Sequence, residues 1–262
     1  MLQTRRAGAL TSWGTAYLQG AVSLDEADTA TVGSDSVHRV AGVPGEADPV
    51  PVAIALGRLR AHGLTALRLV LPEPGDPTGL PGPPSFTAAA VAAGTAVVGV
   101  GPADVPALAL LATTARVPGT GDAVRWDVVE VDRVRAPAGL PTLSEAERGL
   151  AEAMAHSTAE LAALDVARGR ADVVGRLRSL DRALRDVELP STLPARAQRL
   201  VATASRLLGV LDLAAETDGG AVTASEAVRR STALRPLRTA TRYAVCAAYS
   251  AAAEGGAPPG RR

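Results

Sequence analysis

The 262 residues contain no lysine and no asparagine, and isoleucine, phenylalanine and cysteine occur once each, at Ile54, Phe86 and Cys246. Missing lysine removes Schiff-base catalysis and the lysine of a phosphate-binding P-loop. All 27 basic residues are therefore arginine, a bias that fits a strongly GC-rich coding sequence. A single cysteine cannot close an internal disulfide, so a reducing cytoplasm is the expected setting. Two Trp, three Tyr and one Phe leave little for base stacking, and the formal net charge is zero. Both facts argue against nucleic acid as a partner. Long apolar runs are missing too. The longest, Ala88 to Gly101, is too short and too rich in Ala and Gly to span a bilayer, so no membrane association is expected. The start, MLQTRRAGALTSWGTAYLQG, is broken by Ser, Thr and Gly and fails as a secretory signal.

Nearly half the residues are apolar and 21% are charged, as in a folded globular protein. Residues 1–140 carry 10 Arg against 13 Asp and Glu, and residues 141–262 carry 17 against 14. The pattern changes at the same place. Before it, short helical and strand-like segments alternate: helices over 10–19 and from the Ser23-Leu24-Asp25-Glu26 capping box, a strand over 36–40, a helix over 51–62 stopped by Gly63, and a strand over 67–71. A helix capped by Ser85 runs to Ala93, a strand covers 96–100, and 107–117 with 123–134 read as a long hairpin. The expected N-terminal domain, 1–140, is a mixed α/β layer with a four-to-six-stranded sheet.

From residue 141 the period becomes helical. Val173, Leu177, Leu180, Leu184 and Val187 recur at spacings of 4, 3, 4 and 3, and Val201, Ala204, Leu208 and Leu211 at 3, 4 and 3. Such seams predict an antiparallel bundle of about four helices over 141–254, at 145–167, 171–187, 195–217 and 224–252. Capping boxes at Ser144–Glu147 and Thr223–Glu226 support two of the starts, and Pro236 is expected to kink the last helix. The linker RAPAGLP, 135–141, marks the boundary, and the tail 255–262 reads as disordered. The fold class is α+β.

Chemical motifs are weak throughout. Gly99-Val100-Gly101 follows a strand, as a dinucleotide-binding turn would, but the third glycine is missing and Pro102 and Pro106 intrude, so it reads as an ordinary turn. His38, His62 and His156 lack a partner at helical spacing, and neither a metal nor a cofactor is expected. They leave open a folded constellation such as Asp76 with His38. Cys246 reads as a buried structural thiol, and Glu130 with Asp132 as a solvated strand face.

Two features point to binding. LPEPGDPTGLPGPPSF, residues 71–86, holds six prolines, with Asp76 at its centre and Phe86 at its exit. So restricted a loop loses little entropy on binding, and it begins where a strand ends, a common ligand position in α/β sheets. Arg235, Arg238 and Arg242, spaced by 3 and 4 on the last helix, form a stripe able to hold a carboxylate, a phosphate or an acidic partner.

LRLVLPEPGDPTGLPGPPSF, ALGRLRAHG and ALRPLRTATR together resemble, over most of the chain, an uncharacterised protein family of high-GC Gram-positive (actinobacterial) bacteria. The resemblance implies a cytoplasmic bacterial setting and brings no catalytic residues with it. The expected function is a non-catalytic cytoplasmic binding or protein-interaction module. It would present the 72–84 loop and the Arg235/Arg238/Arg242 stripe to a protein partner or a second copy of itself. The alternative is a receptor or enzyme for a small anionic ligand, with a pocket between the domains that Asp76 and the arginines would serve.

Overall fold

The computed structural model describes residues 2–117, 121–132, 140–163, 175–176, 178–179, 182, 187–216 and 224–254. Contacts divide the chain into two compact units. One is built on 2–140 with 188–194 and the chain from Tyr249 onward, the other on 141–187 with 195–248.

The first unit is α+β. Helix α1 (Leu2–Leu18) is followed by α2 (Leu24–Val32), strands β1 (Val37–Ala41) and β2 (Val50–Pro51), α3 (Val52–His62), β3 (Ala66–Val70), α4 (Pro84–Ala93), β4 (Ala96–Val100), β5 (Ala107–Val117) and β6 (Gly121–Val131). The six strands form one sheet in the order β2-β1-β6-β5-β4-β3. Among the described residues β1 and β6 are the only parallel pair, so the sheet is mixed. Although α4 stands between β3 and β4 in sequence, those strands pair antiparallel, with Arg68 opposite Val98. The β5–β6 hairpin is in place, residues 118–120 of its loop lying outside the described residues.

Helix α1 begins at Leu2, well before the expected start at residue 10, and its length has a packing cause. Its Gly, Ser, Thr and Ala positions, which weaken it as an apolar segment, allow burial on nearly every side. Thr11 and Ser12 return their hydroxyls to the carbonyls of Ala7 and Gly8. A Cβ on Gly8 would lie 2.6 Å from the buried Tyr249 ring, so glycine there lets helix and ring approach closely. The box at Ser23 caps α2, its hydroxyl accepting from Glu26 N at 3.2 Å. Ser85 does not cap α4: Pro83 is the cap residue and Pro84 opens the helix, where the missing proline N–H has no intrahelical partner to lose.

Side chains of β3 alternate between the two sheet faces. Leu67 meets α1 and α3, near Gly14 and Leu56, whereas Val70 joins a cluster with Phe86, Ala90, Ala96, Val98, Ala109 and Val131. The second face is therefore covered by α4 at its Val70–Ala96 end. Strand β3 ends the sheet, but its outer edge is not bare. Leu67 N donates to Thr15 Oγ1 at 2.9 Å and Leu69 N to Ser250 Oγ at 2.9 Å, so side chains from two helices occupy the ladder positions a further strand would use.

In the second unit three helices stand among the described residues: α5 (Leu143–Ala163), α6 (Ala195–Glu216) and α7 (Ala224–Glu254) as far as Ala248, the rest of α7 counting with the first unit. A bundle of four is not established. Most of the expected helix over 171–187, like the 135–139 part of the linker, Thr223 and the tail 255–262, lies outside the described residues. The seam on α6 is buried at Val201, Ala204, Leu208 and Leu211, as its spacing predicts. The cap of α5 is shifted from expectation. Thr142 and Glu145 form the reciprocal box, with Thr142 N and Oγ1 donating to Glu145 Oε2 at 2.9 and 2.7 Å. Ser144 and Glu147 instead receive Arg196 from α6. Helix α7 is assigned continuously through Pro236. Among the described residues no helix is long and apolar enough to cross a membrane.

Candidate ligand-binding site

The residues singled out from sequence fall in different surroundings. Asp76 sits in a tight turn, exchanging backbone hydrogen bonds with Glu73 across Pro74-Gly75, and its Oδ1 accepts from Thr78 N. Phe86 is 6% exposed and belongs to the sheet's second-face core. Arg235 is exposed, Arg238 pairs with Asp212 at 2.8 Å, and Arg242 is 3% exposed with its guanidinium 5.8 Å from the Tyr243 ring. Their burial differs step by step along α7, so the three do not present a uniform solvated stripe. Cys246 is buried.

Sequence reading missed a buried polar network at one end of the sheet. Arg6 of α1 donates through Nε and Nη2 to both oxygens of Asp35, at 2.7 and 2.5 Å, and through Nη2 to Asp122 at 2.9 Å. His38 Nε2 meets Asp35 Oδ2 at 2.9 Å, and Trp126 Nε1 lies 3.3 Å from His38 Nδ1. Indole can only donate, so Nδ1 is the acceptor and Nε2 carries the proton toward Asp35. Both ring nitrogens are thus engaged and the side chain is fully enclosed. The His–Asp pair holds no lone pair open to a substrate, so its effect is to fasten α1 and the α2–β1 turn to the sheet.

Burial pushes the His38 pKa below its ordinary value of 6.5, against the upward pull of Asp35. Burial alone would raise the Asp35 carboxyl, but hydrogen bonds from Arg6 and His38 outweigh it and hold it below its ordinary 3.8. In acid both act in the same direction. Below about pH 6.5 the unfolded chain takes a proton on His38 that the folded chain resists, so stability is full above that value and declines beneath it. The Asp35 contribution is complete above about 3.8 and is lost as pH falls through the lower folded value. Denaturant unfolding from pH 8 to 3 should show both limbs, and His38→Gln should flatten the upper one; its persistence in that variant would locate the titration elsewhere.

A cavity of about 220 Å³ opens on the second sheet face, at the end that α4 leaves uncovered. Its wall is mostly apolar, from Leu64, Val98, Val100, Leu108, Val131 and Leu140 among others, with two charged side chains among the described residues, Arg68 and Asp132. Arg68 stands in the middle of β3 and alternation places it on this face. Its Nε is buried and has no hydrogen-bond partner among the described residues. A buried charged donor without an acceptor is costly, so this Nε is a polar group that the described residues leave uncompensated.

The proline loop forms one side of this cavity. Gly79 lines it, and a Cβ there would fall 2.6 Å from Leu140 Cδ1, so the loop lies directly on that wall residue. Asp132 N donates to Gly82 O at 2.8 Å, fastening the loop to the end of β6. Gly99 and Gly101, read from sequence as a plain turn, also line the cavity, where a side chain on Gly99 would collide with Leu64. One signal for the site was present in the sequence. In ALRLV, period-two alternation puts Arg68 on the same face as Ala66 and Val70, a lone charge within an apolar strand face.

The architecture defines an α+β protein with a mixed-sheet unit and a helical unit. The chain belongs to the Rv1486c-like protein family: the model of that family's N-terminal domain matches residues 7–144 and that of its C-terminal domain matches 144–246. A relative from Mycobacterium tuberculosis (strain ATCC 25618 / H37Rv), titled "Uncharacterized protein Rv1486c", is 30% identical over 216 residues, covering 75% of this chain and 73% of its own. "Uncharacterized protein MT1533", from strain CDC 1551 / Oshkosh, matches to the same identity and coverage. No solved structure matches.

Proposed function

We propose that the protein is a non-catalytic cytoplasmic binding module whose α/β unit takes a small amphipathic anion into the Arg68 cavity. The observation that carries this reading is the buried Nε of Arg68, without an acceptor among the described residues, in an otherwise apolar hollow. Ligand pockets of this kind combine apolar walls with a few placed polar groups. At about 220 Å³ the cavity is smaller than the roughly 300 Å³ at which drug-sized pockets begin, so the ligand is compact. The stiff 71–86 loop then has a physical purpose: its prolines keep a wall in place before the ligand arrives. Within the same proposal, exposed Arg235 is the position from which α7 would meet an acidic protein partner, and a fourth helix over 171–187 would complete the bundle.

Native mass spectrometry of protein gently purified from its own host tests the reading. The expected result is a retained small molecule that disappears in Ala107→Phe, which fills the cavity from the first residue of β5. A protein without adduct that also gives no saturation-transfer signal from benzyl alcohol or phenylacetate would end it.

A further inference from the structure

Among the described residues two charges line the cavity, one of each sign, and their balance constrains what can enter. We propose that the ligand is a singly charged carboxylate on a compact apolar body, held by Arg68, with Asp132 as the residue that excludes doubly charged anions. The inference rests on the cavity being a ligand site.

Arg68 is half-buried and lines the cavity, and a guanidinium offers pairs of parallel N–H donors. Two coplanar oxygens, as in a carboxylate, meet such a pair with two hydrogen bonds. With Arg68 and Asp132 cancelling each other, a monoanion there leaves a single net negative charge among the described lining residues. A phosphate monoester at neutral pH carries nearly two charges and would leave nearly twice that net charge beside the exposed Asp132 carboxylate. Among the described residues no other basic side chain lines the cavity to offset it.

A competing explanation for an inward-pointing arginine on an end strand is protection of the edge against pairing with other chains. Here that need is already met by Thr15 and Ser250, which occupy the outer ladder positions at Leu67 and Leu69. A charge at residue 68, on the opposite side of the alternation from those leucines, is left for the cavity to use.

The test is calorimetric titration of the full chain at pH 7.5 with phenylacetate, phenyl phosphate and benzyl alcohol, which share an aromatic body and differ in charge. Phenylacetate should bind about tenfold more tightly than either of the others, a difference readily resolved. Arg68→Met should lower phenylacetate to the level of benzyl alcohol. Asp132→Asn should strengthen phenyl phosphate several-fold and change phenylacetate little. Equal affinity for the acid and the alcohol, or tighter binding of the phosphate, would overturn the charge assignment while leaving the cavity a ligand site. An unchanged phosphate affinity in Asp132→Asn would overturn the role of that residue. Failure of all three probes to bind would remove the underlying reading and the inference with it.

Discussion

Asp35→Ala should cost about 3–5 kcal/mol of folding stability, the loss usual when one partner of a buried ion pair is deleted. The reason lies in what the substitution strands. Arg6 is 5% exposed, and Asp35 supplies both oxygens of its two-pronged contact. Asp122 takes one further bond from the same guanidinium but is partly solvated, so it offsets only part of the loss. His38 simultaneously loses the acceptor for its Nε2 proton. The hydrogen bond to Asp35 is the largest influence raising the Arg6 pKa, and without it burial opposes the cation with less to balance it. A double-mutant cycle separates the pair from its members. Arg6→Met with Asp35→Leu should cost clearly less than the sum of the single changes, because an apolar pair strands no charge. Denaturant unfolding of the four proteins reads this out, and strict additivity would mean that the two side chains are energetically independent.

The contrast between this network and the sheet explains how much the sequence could reveal. Local rules located most elements: the Ser23 cap, the Gly63 and Gly94 helix ends, the hairpin and the α6 seam each depend on residues within a few positions of one another. Where two local patterns competed, the structure selected by context. Thr142 and Ser144 both head a box ending in glutamate, and Arg196, arriving from a helix some fifty residues away, occupies Glu147 and Ser144. Helix α1 was read too short because its small residues weaken the apolar signal, and their purpose, contact with Tyr249 and Leu67, involves distant parts of the chain. The polar network joins residues separated by 29, 88 and 116 positions, distances at which no spacing rule operates. The candidate site was half legible. Its proline loop was conspicuous for stiffness, whereas Arg68 was hidden inside a segment read only as a buried strand, and the facing of Asp132 depends on strand pairing.

Gly42→Ala should be the most damaging single-methyl change in the sheet, at about 3 kcal/mol or more. Two costs combine. Gly42 has φ of 72°, where an L-residue pays about 1–2 kcal/mol. The added Cβ would also lie 2.4 Å from the carbonyl oxygen of Val128, a backbone atom of β6. Relief requires moving the end of β1 away from β6, where Ala41 pairs with Asp127. Overpacking of this kind adds about 1–3 kcal/mol. Two neighbouring glycines separate these contributions. Gly45 has φ of 81° but open space around its Cβ position, so Gly45→Ala should pay the dihedral cost alone. Gly57 stands inside α3 with nothing near its Cβ position, and Gly57→Ala should stabilise by up to about 1 kcal/mol through helix propensity. Thermal unfolding should therefore order the variants Gly57→Ala above the parent, Gly45→Ala slightly below it and Gly42→Ala far below. If Gly42→Ala and Gly45→Ala fell together, the dihedral alone would account for glycine at residue 42, and the close approach of the two strands would have no energetic consequence there.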